Sequence, residues 1–330
     1  MRSECYVAVV GTGSIGLQHC KVLAQIAGVR PIAVPRRPER IQELRKAGFI
    51  AVQDLEEAVR LGAQLCIIAT DTGRHVEDGV RAVERGLHIL VEKPLSTDAE
   101  EARLLCAKGV AANRKIFVAC LLRFSKSLSR FRDLLSEIGQ PHYVRIECQS
   151  YLPDWRPTRN YLESYSARLD EGGVLRDLIH EIDYAGWLFG WPVTLQARVT
   201  NLGRLGITAD EAADLIWETP EGCLVSVRLD YLSRPARRKM TAYGQRGILE
   251  WDGVLNTVTL RLQGQPVREI VLAQTKDETL LAQSEAFITA ARGGDAFTLA
   301  TGLDGVRALA VCDAARRASD SRREEKVEYQ

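Results

Sequence analysis

Short apolar runs punctuate the first 120 residues: Tyr6–Val10, Pro31–Val34, Leu65–Ala69, His88–Val91 and Ile116–Ala119. They are too short for helices and rich in Val and Ile, which suits parallel strands buried on both faces. The segments between them, Glu39–Ala47, Asp54–Leu61, Val76–Arg85 and Asp98–Lys108, mix apolar and charged residues at helical spacing. Strand and helix in alternation predict a parallel sheet with right-handed crossovers. After about residue 140 the pattern changes. Residues 142–151 alternate, a polar stretch and one strong helix follow, and from about 193 to 272 the strands come consecutively: VTLQARVTNL, DLIWETP, CLVSVRLDYL, KMTAYG, GILEW, TVTLRL and REIVL. Pro220-Glu221-Gly222 reads as a tight turn between two of them. Strands without intervening helices predict a largely antiparallel sheet. Residues 278–292 and 303–318 return to helix, and the charged last dozen residues are expected at the surface.

The first strand runs into Gly11-Thr12-Gly13-Ser14-Ile15-Gly16, and a helical LQHCKVLAQI follows. In a GxGxxG loop the first glycine permits the tight turn, and the second lets backbone approach a pyrophosphate. The third lets the helix pack close to the strand. The helix N-terminus offers unpaired N–H groups and partial positive charge to the phosphates. The motif opens the first βαβ unit of an alternating chain, the context it requires, so residues 11–16 are expected to bind a dinucleotide. The usual acidic residue about 20 positions on, which bonds the ribose diol, is missing. Pro35, Arg36 and Arg37 stand there, and the first acid is Glu39. Arginines at this place hold a 2′-phosphate and stack on adenine, so the expected cofactor is NADP in preference to NAD.

At 330 residues the chain is long enough for two domains. With 44 basic and 43 acidic side chains it gives no reason to expect nucleic acid as a partner. No apolar run reaches the roughly 18 residues of a membrane span. The N-terminal apolar stretch leads into the glycine loop rather than to a small-residue cleavage site, so it does not read as a signal peptide. Eight cysteines lie far apart with no CxxC pair, which argues against a metal site or a disulfide scaffold. It fits buried, reduced thiols in a cytoplasmic protein.

HILVEKPL, a buried strand ending in Glu92-Lys93-Pro94, resembles the glucose–fructose oxidoreductase, inositol dehydrogenase and rhizopine-catabolism (Gfo/Idh/MocA) family. Ala69-Thr70 and His75, Arg123-Phe124, Gly172-Gly173 and His180-Glu181-Ile182-Asp183 match further family segments in order, so the resemblance covers nearly the whole chain. It implies an α/β fold: an N-terminal Rossmann doubly wound parallel sheet, residues 1–121, then an α/β domain with an open, mostly antiparallel sheet, residues 122–330. It also implies oxidoreduction of a sugar or polyol, and a homodimer or homotetramer packed through the C-terminal sheet. YLPDWRPTRNY and LRDLIHEIDYAGWLFG look like a subgroup found with bacterial surface-sugar synthesis, which favours sugar, amino sugar or sugar-nucleotide substrates.

Hydride transfer at a carbinol carbon needs a partner for the hydroxyl proton. The resemblance places Lys93 beside the nicotinamide and in touch with the substrate oxygen. Pro94 aims the side chain and is a candidate for a preceding cis bond. His180 has Asp177 and Asp183 at i−3 and i+3, where a carboxylate could orient the imidazole. Many relatives carry the catalytic aspartate four residues before this histidine. Here that position is Arg176, and a one-residue shift to Asp177 turns a helical side chain by about 100°. Lys93 is therefore the firmer choice, with His180 and Asp177 as further catalytic candidates. Glu92, Thr70 and His75 join residues 11–16 and Arg36 and Arg37 as cofactor-binding candidates, with Asp71 beside them. Trp155, Arg156, Arg159 and Tyr161 sit in a polar loop and suit a sugar ring, a carboxylate or a phosphate, or pack on a neighbouring subunit. Arg123 either bonds substrate or closes an internal ion pair. The expected function is an NAD(P)-dependent dehydrogenase or reductase. The alternatives are a dinucleotide-binding sensor without turnover and a redox-neutral enzyme that retains its cofactor.

Overall fold

A computed structural model describes residues 4–330, and all counts and partners below are of those residues. Met1–Ser3, where the reading of the N-terminus begins, lie outside the described residues. The chain divides into two compact units: residues up to Phe124 with Thr275–Val306, and Ser125–Gln274 with Arg307–Gln330. The expected break at 121/122 lies close to the first observed one. The second domain, however, does not run unbroken to residue 330.

The first unit runs β1 (Cys5–Val10), α1 (Ser14–Leu23), β2 (Val29–Val34), α2 (Arg40–Lys46), β3 (Ile50–Ala51), α3 (Leu55–Arg60), β4 (Ala63–Ile68), α4 (His75–Glu84), β5 (His88–Val91), α5 (Ala99–Ala111) and β6 (Ile116–Val118). The expected strands and helices all form, and the two-residue β3 is too short to show as a pattern. Asp54 and Asp98 set the starts of α3 and α5, each accepting from a backbone N–H three residues on. Strands β1 to β6 are parallel, with β2 and β4 flanking β1. The strand order reverses at β1, so a crevice opens at its carboxyl end. Val34, Val10, Ile68, Val91 and Val118 stand in one row at that edge.

The second unit adds α6 (Lys126–Leu134), β7 (Pro141–Gln149), α7 (Val174–Asp177), α8 (Ile179–Phe189), β8 (Thr194–Thr200), β9 (Ala212–Glu218), β10 (Leu224–Asp230), β11 (Arg237–Gly244), β12 (Gly247–Asp252), β13 (Thr257–Leu262) and β14 (Arg268–Val271). The chain then continues through α9 (Lys276–Ala291), β15 (Ala300–Thr301), α10 (Gly302–Ser321) and β16 (Glu325–Lys326). Helix α9 and strand β15 belong to the first unit. Phe287 of α9 is fully buried there, edge-on to Phe117 of β6, and β15 pairs with β6. The sequence shows the helix but not which core its apolar face joins.

The second sheet runs β14-β13-β12-β11-β7-β10-β9-β8-β16 and is antiparallel except for the parallel β7–β10 pair. Val144, Ile146, Val225, Val227, Met240 and Leu249 bury one face, against which α6 and α8 pack. Their alternate neighbours form an open, polar face. The single helix expected around His180 is two, parted at Leu178 (φ −98, ψ 29). The charged C-terminal tail lies largely at the surface, as expected. β16 pairs with β8, Val327 is buried, and the Tyr329 hydroxyl donates to the Pro192 carbonyl at 2.6 Å. No helix is long and apolar enough to cross a membrane. Seven of the eight cysteines are buried thiols, and Cys106 is half-buried.

Candidate active site

Strand β1 hands over to Gly11-Thr12-Gly13, and α1 begins at Ser14. Gly11 has φ +86, and a Cβ there would lie 2.6 Å from the Ala69 carbonyl oxygen. A Cβ on Gly16 would lie 1.9 Å from the Gly11 carbonyl oxygen. The protein's own backbone therefore requires both glycines. Gly13 differs: its φ is −66, and a Cβ would meet nothing within 4 Å. Only a group approaching from outside needs the space it leaves. No side chain caps α1, so its first N–H groups remain open to an anion. This open cradle fits the diphosphate of a dinucleotide. Thr12 is buried, Ser14 is exposed and Ile15 is half-buried. Arg40, which sequence reasoning did not single out, donates through Nη1 to the Thr12 carbonyl at 2.5 Å.

The next strands bring the other candidates to the same edge. The Ala69 N–H donates to the Val10 carbonyl at 2.8 Å, and the Glu92 N–H to the Ile68 carbonyl at 2.9 Å. Thr70 thus leaves the sheet one strand from the glycine loop and Lys93 two strands away, about 10 Å across the edge. Lys93 is half-buried, and its bond to Pro94 is cis. Glu92 Oε1 lies 2.8 Å from Nε2 of the fully buried His19. Burial pushes the Glu92 carboxyl up, but the His19 bond and the His19 and Lys93 charges outweigh it, leaving the group below the usual range. His19 follows the glycine loop on α1, so the diphosphate helix and the lysine turn are tied together.

His75 needs a correction, since it does not line an open pocket. It is 1% exposed, with Nδ1 2.8 Å from the Pro94 carbonyl and Nε2 3.0 Å from the Thr70 carbonyl. Burial pushes its pKa down, so the neutral ring donates to one of these carbonyls and braces the two loops. The Thr70 hydroxyl donates to Asp78 at 2.9 Å, and Asp71 is exposed. Arg123 also takes the internal option rather than a substrate contact. It is 2% exposed, with Nη1 3.5 Å from Asp304. Beyond β2, Arg36 lines a hollow of about 120 Å³ with Val10, Val34, Asp54 and Arg81. Arg37 is exposed but is not among the residues lining that hollow.

In the second unit, half-buried His180 opens α8. Asp177 is buried on the separate α7, so one continuous helix does not relate the two. Its Oδ2 accepts from the Tyr231 hydroxyl at 2.6 Å. Burial, with the Asp177 charge, raises the pKa values of Tyr165 and Tyr231. Arg176, four residues before His180, is used structurally. Its Nη1 donates to the Leu169 and Asp170 carbonyls at 3.0 and 2.8 Å. Asp183 is buried. Trp155 stands edge-on to Tyr231 at 5.4 Å and donates through Nε1 to Ser150. Arg156 and Arg159 are exposed. The Tyr161 hydroxyl anchors their loop by donating to the Leu205 carbonyl at 3.0 Å. Sequence reasoning missed Tyr231. The period-2 series Val225, Val227, Leu229, Tyr231 was the available signal, because it places the phenol on the inner face.

Residues 5–120 match the oxidoreductase family with an NAD-binding Rossmann fold, and residues 130–250 match the Gfo/Idh/MocA C-terminal domain. The chain is 30% identical over 322 residues to the rhizopine catabolism protein MocA of Rhizobium meliloti, spanning 94% of this chain and 93% of that protein. It is 26% identical over 296 residues to a UDP-N-acetylglucosamine 3-dehydrogenase of Acidithiobacillus ferrooxidans, spanning 86% of this chain and 87% of that one. The structure of levoglucosan dehydrogenase in complex with NADH has a TM-score of 0.88 at 19% identity, over 99% of this chain and 100% of that chain. That last likeness is one of fold.

Proposed function

Because the chain belongs to the Gfo/Idh/MocA oxidoreductase family, we propose that it transfers a hydride between a nicotinamide dinucleotide and a hydroxyl-bearing carbon of a sugar, amino sugar or sugar nucleotide. One observation carries the reading: Lys93 leaves the same sheet edge as the open Gly13 cradle, two strands away. Bound nicotinamide supplies the hydride acceptor or donor. In oxidation Lys93 takes the hydroxyl proton, and in reduction it returns it. His19 and Glu92 hold the turn that presents it. His180 is the second proton-transfer group. Asp177, bonded by the Tyr231 phenol, supports the helix junction beside it.

Trp155 offers a face to a sugar ring, and the Arg156 and Arg159 guanidinia suit an anionic group such as a nucleotide diphosphate. Arg36, with Arg37 next to it, favours NADP over NAD. Copies of the chain associate through the open face of the nine-stranded sheet, as a homodimer or a tetramer built from it. The mostly buried thiols favour a cytoplasmic setting.

Lys93→Ala tests the assignment. Turnover is expected to fall by about 10²–10⁴, while cofactor affinity, followed by the fluorescence of reduced cofactor, stays within a few-fold of wild type. Retained turnover overturns the role of Lys93. Tight cofactor binding with no absorbance change across a panel of polyols and sugar nucleotides would favour the sensor.

A further inference from the structure

Helix α8 carries His180 near its start and ends about 14 Å away, at Phe189. A hollow of about 450 Å³ opens there within the second unit. It lies between that helix end, the stretch from α6 to β7 and the Pro220-Glu221-Gly222 turn. Leu135, Pro141, Leu188 and Phe189, each half-buried, form its apolar walls. Thr219 and Cys223 also line it and are buried, with the Cys223 N–H donating to the Thr219 hydroxyl at 3.1 Å. The Gln140 side-chain amide donates to the Glu221 carbonyl at 3.2 Å and holds the turn in place. None of the groups assigned to hydride transfer lines this hollow.

Two negative features meet here. The carbonyls of Leu188 and Phe189 accept no hydrogen bond among the described residues, and Pro192, four residues after Leu188, has no N–H to offer. The end of α8 therefore carries the partial negative charge of a helix C-terminus. Glu221 brings a full charge to the same place, since a Cβ on Gly190 would lie 3.1 Å from Glu221 Oε2. That charge reaches into the hollow: it adds to burial in pushing the Cys223 thiol up to about 11. Among the described residues Glu221 has no ion-pair partner, and no residue lining the hollow is basic. A carboxylate at a helix C-terminus is repelled unless a cation stands between them. A bare divalent ion suits the place poorly, because the apolar walls give it no oxygen ligands. We propose that the hollow binds a small organic ammonium ion, its nitrogen between Glu221 and the Leu188 and Phe189 carbonyls and its apolar body against the walls. The site is separate from the one proposed for hydride transfer and does not depend on that reading.

Isothermal titration calorimetry on the full chain at neutral pH tests it, with 2-phenylethylammonium as probe and 2-phenylethanol as its uncharged counterpart. The ammonium is expected to bind with a Kd of about 0.01–1 mM, at least about tenfold tighter than the alcohol. Glu221→Gln is expected to erase that preference and to leave the weak binding of the alcohol. Ser136→Trp, which fills the hollow from an exposed position, is expected to remove both. Melting curves check that each variant folds. Equal affinity for the two probes, or a preference that survives Glu221→Gln, overturns the proposal. So does ammonium binding that Ser136→Trp leaves unchanged, which places the amine elsewhere, and so does a Kd weaker than about 10 mM.

Discussion

Gly13 and Gly16 look alike in the sequence and serve different needs. At Gly16 a Cβ would press into the Gly11 carbonyl, whereas at Gly13 it would enter space the protein does not use. Gly16→Ala is therefore expected to lower the melting temperature by several degrees, the effect of about 1–3 kcal/mol of overpacking. Gly13→Val is expected to leave the melting temperature within about a degree and to weaken cofactor binding at least tenfold. Melting curves and fluorescence titrations on both variants check this, and equal melting losses would mean that the loop packs differently. The motif made both glycines legible as a pair. It could not say which one the fold needs, because that depends on where the Ala69 and Gly11 carbonyls come to rest. Arg123 was undecided in the sequence for the same reason, since Asp304 lies far along the chain and only the fold sets it alongside.

The loops after β4 and β5 are held by His75, the first residue of α4. Its folded pKa is pushed below 6.5 by burial. The unfolded chain takes up the proton first as pH falls. The contribution of His75 to stability is therefore whole above 6.5 and is lost as pH drops through the folded value. Glu92 acts in the same direction lower down, because its folded pKa lies below 4.5. The melting temperature is expected to fall by a few degrees between about pH 7 and about pH 5, and His75→Gln should flatten that slope. A steeper slope in the variant would place the acid-labile group elsewhere. Helical periodicity located α4 and α5 to within a few residues. It ran α7 and α8 together, because the break at Leu178 is one residue of backbone and leaves the apolar pattern intact.

For the whole molecule, a ligand that binds only the folded chain raises its stability by about 2.7 kcal/mol at a hundredfold excess over Kd. NADP+ is expected to raise the melting temperature more than NAD+ at equal concentration, and Arg36→Ala to abolish the difference. A larger shift with NAD+ would reverse the assigned preference. The sequence by itself determined the strand–helix alternation, the nucleotide loop and the lysine turn. Each is written in neighbouring residues, whose period and steric demands are local. Tertiary structure alone decided that α9 returns to the first core, that Arg123 and His75 face inward, and that Tyr231 meets Asp177. Those outcomes depend on which distant strands and helices come to lie side by side, and no local pattern encodes that register.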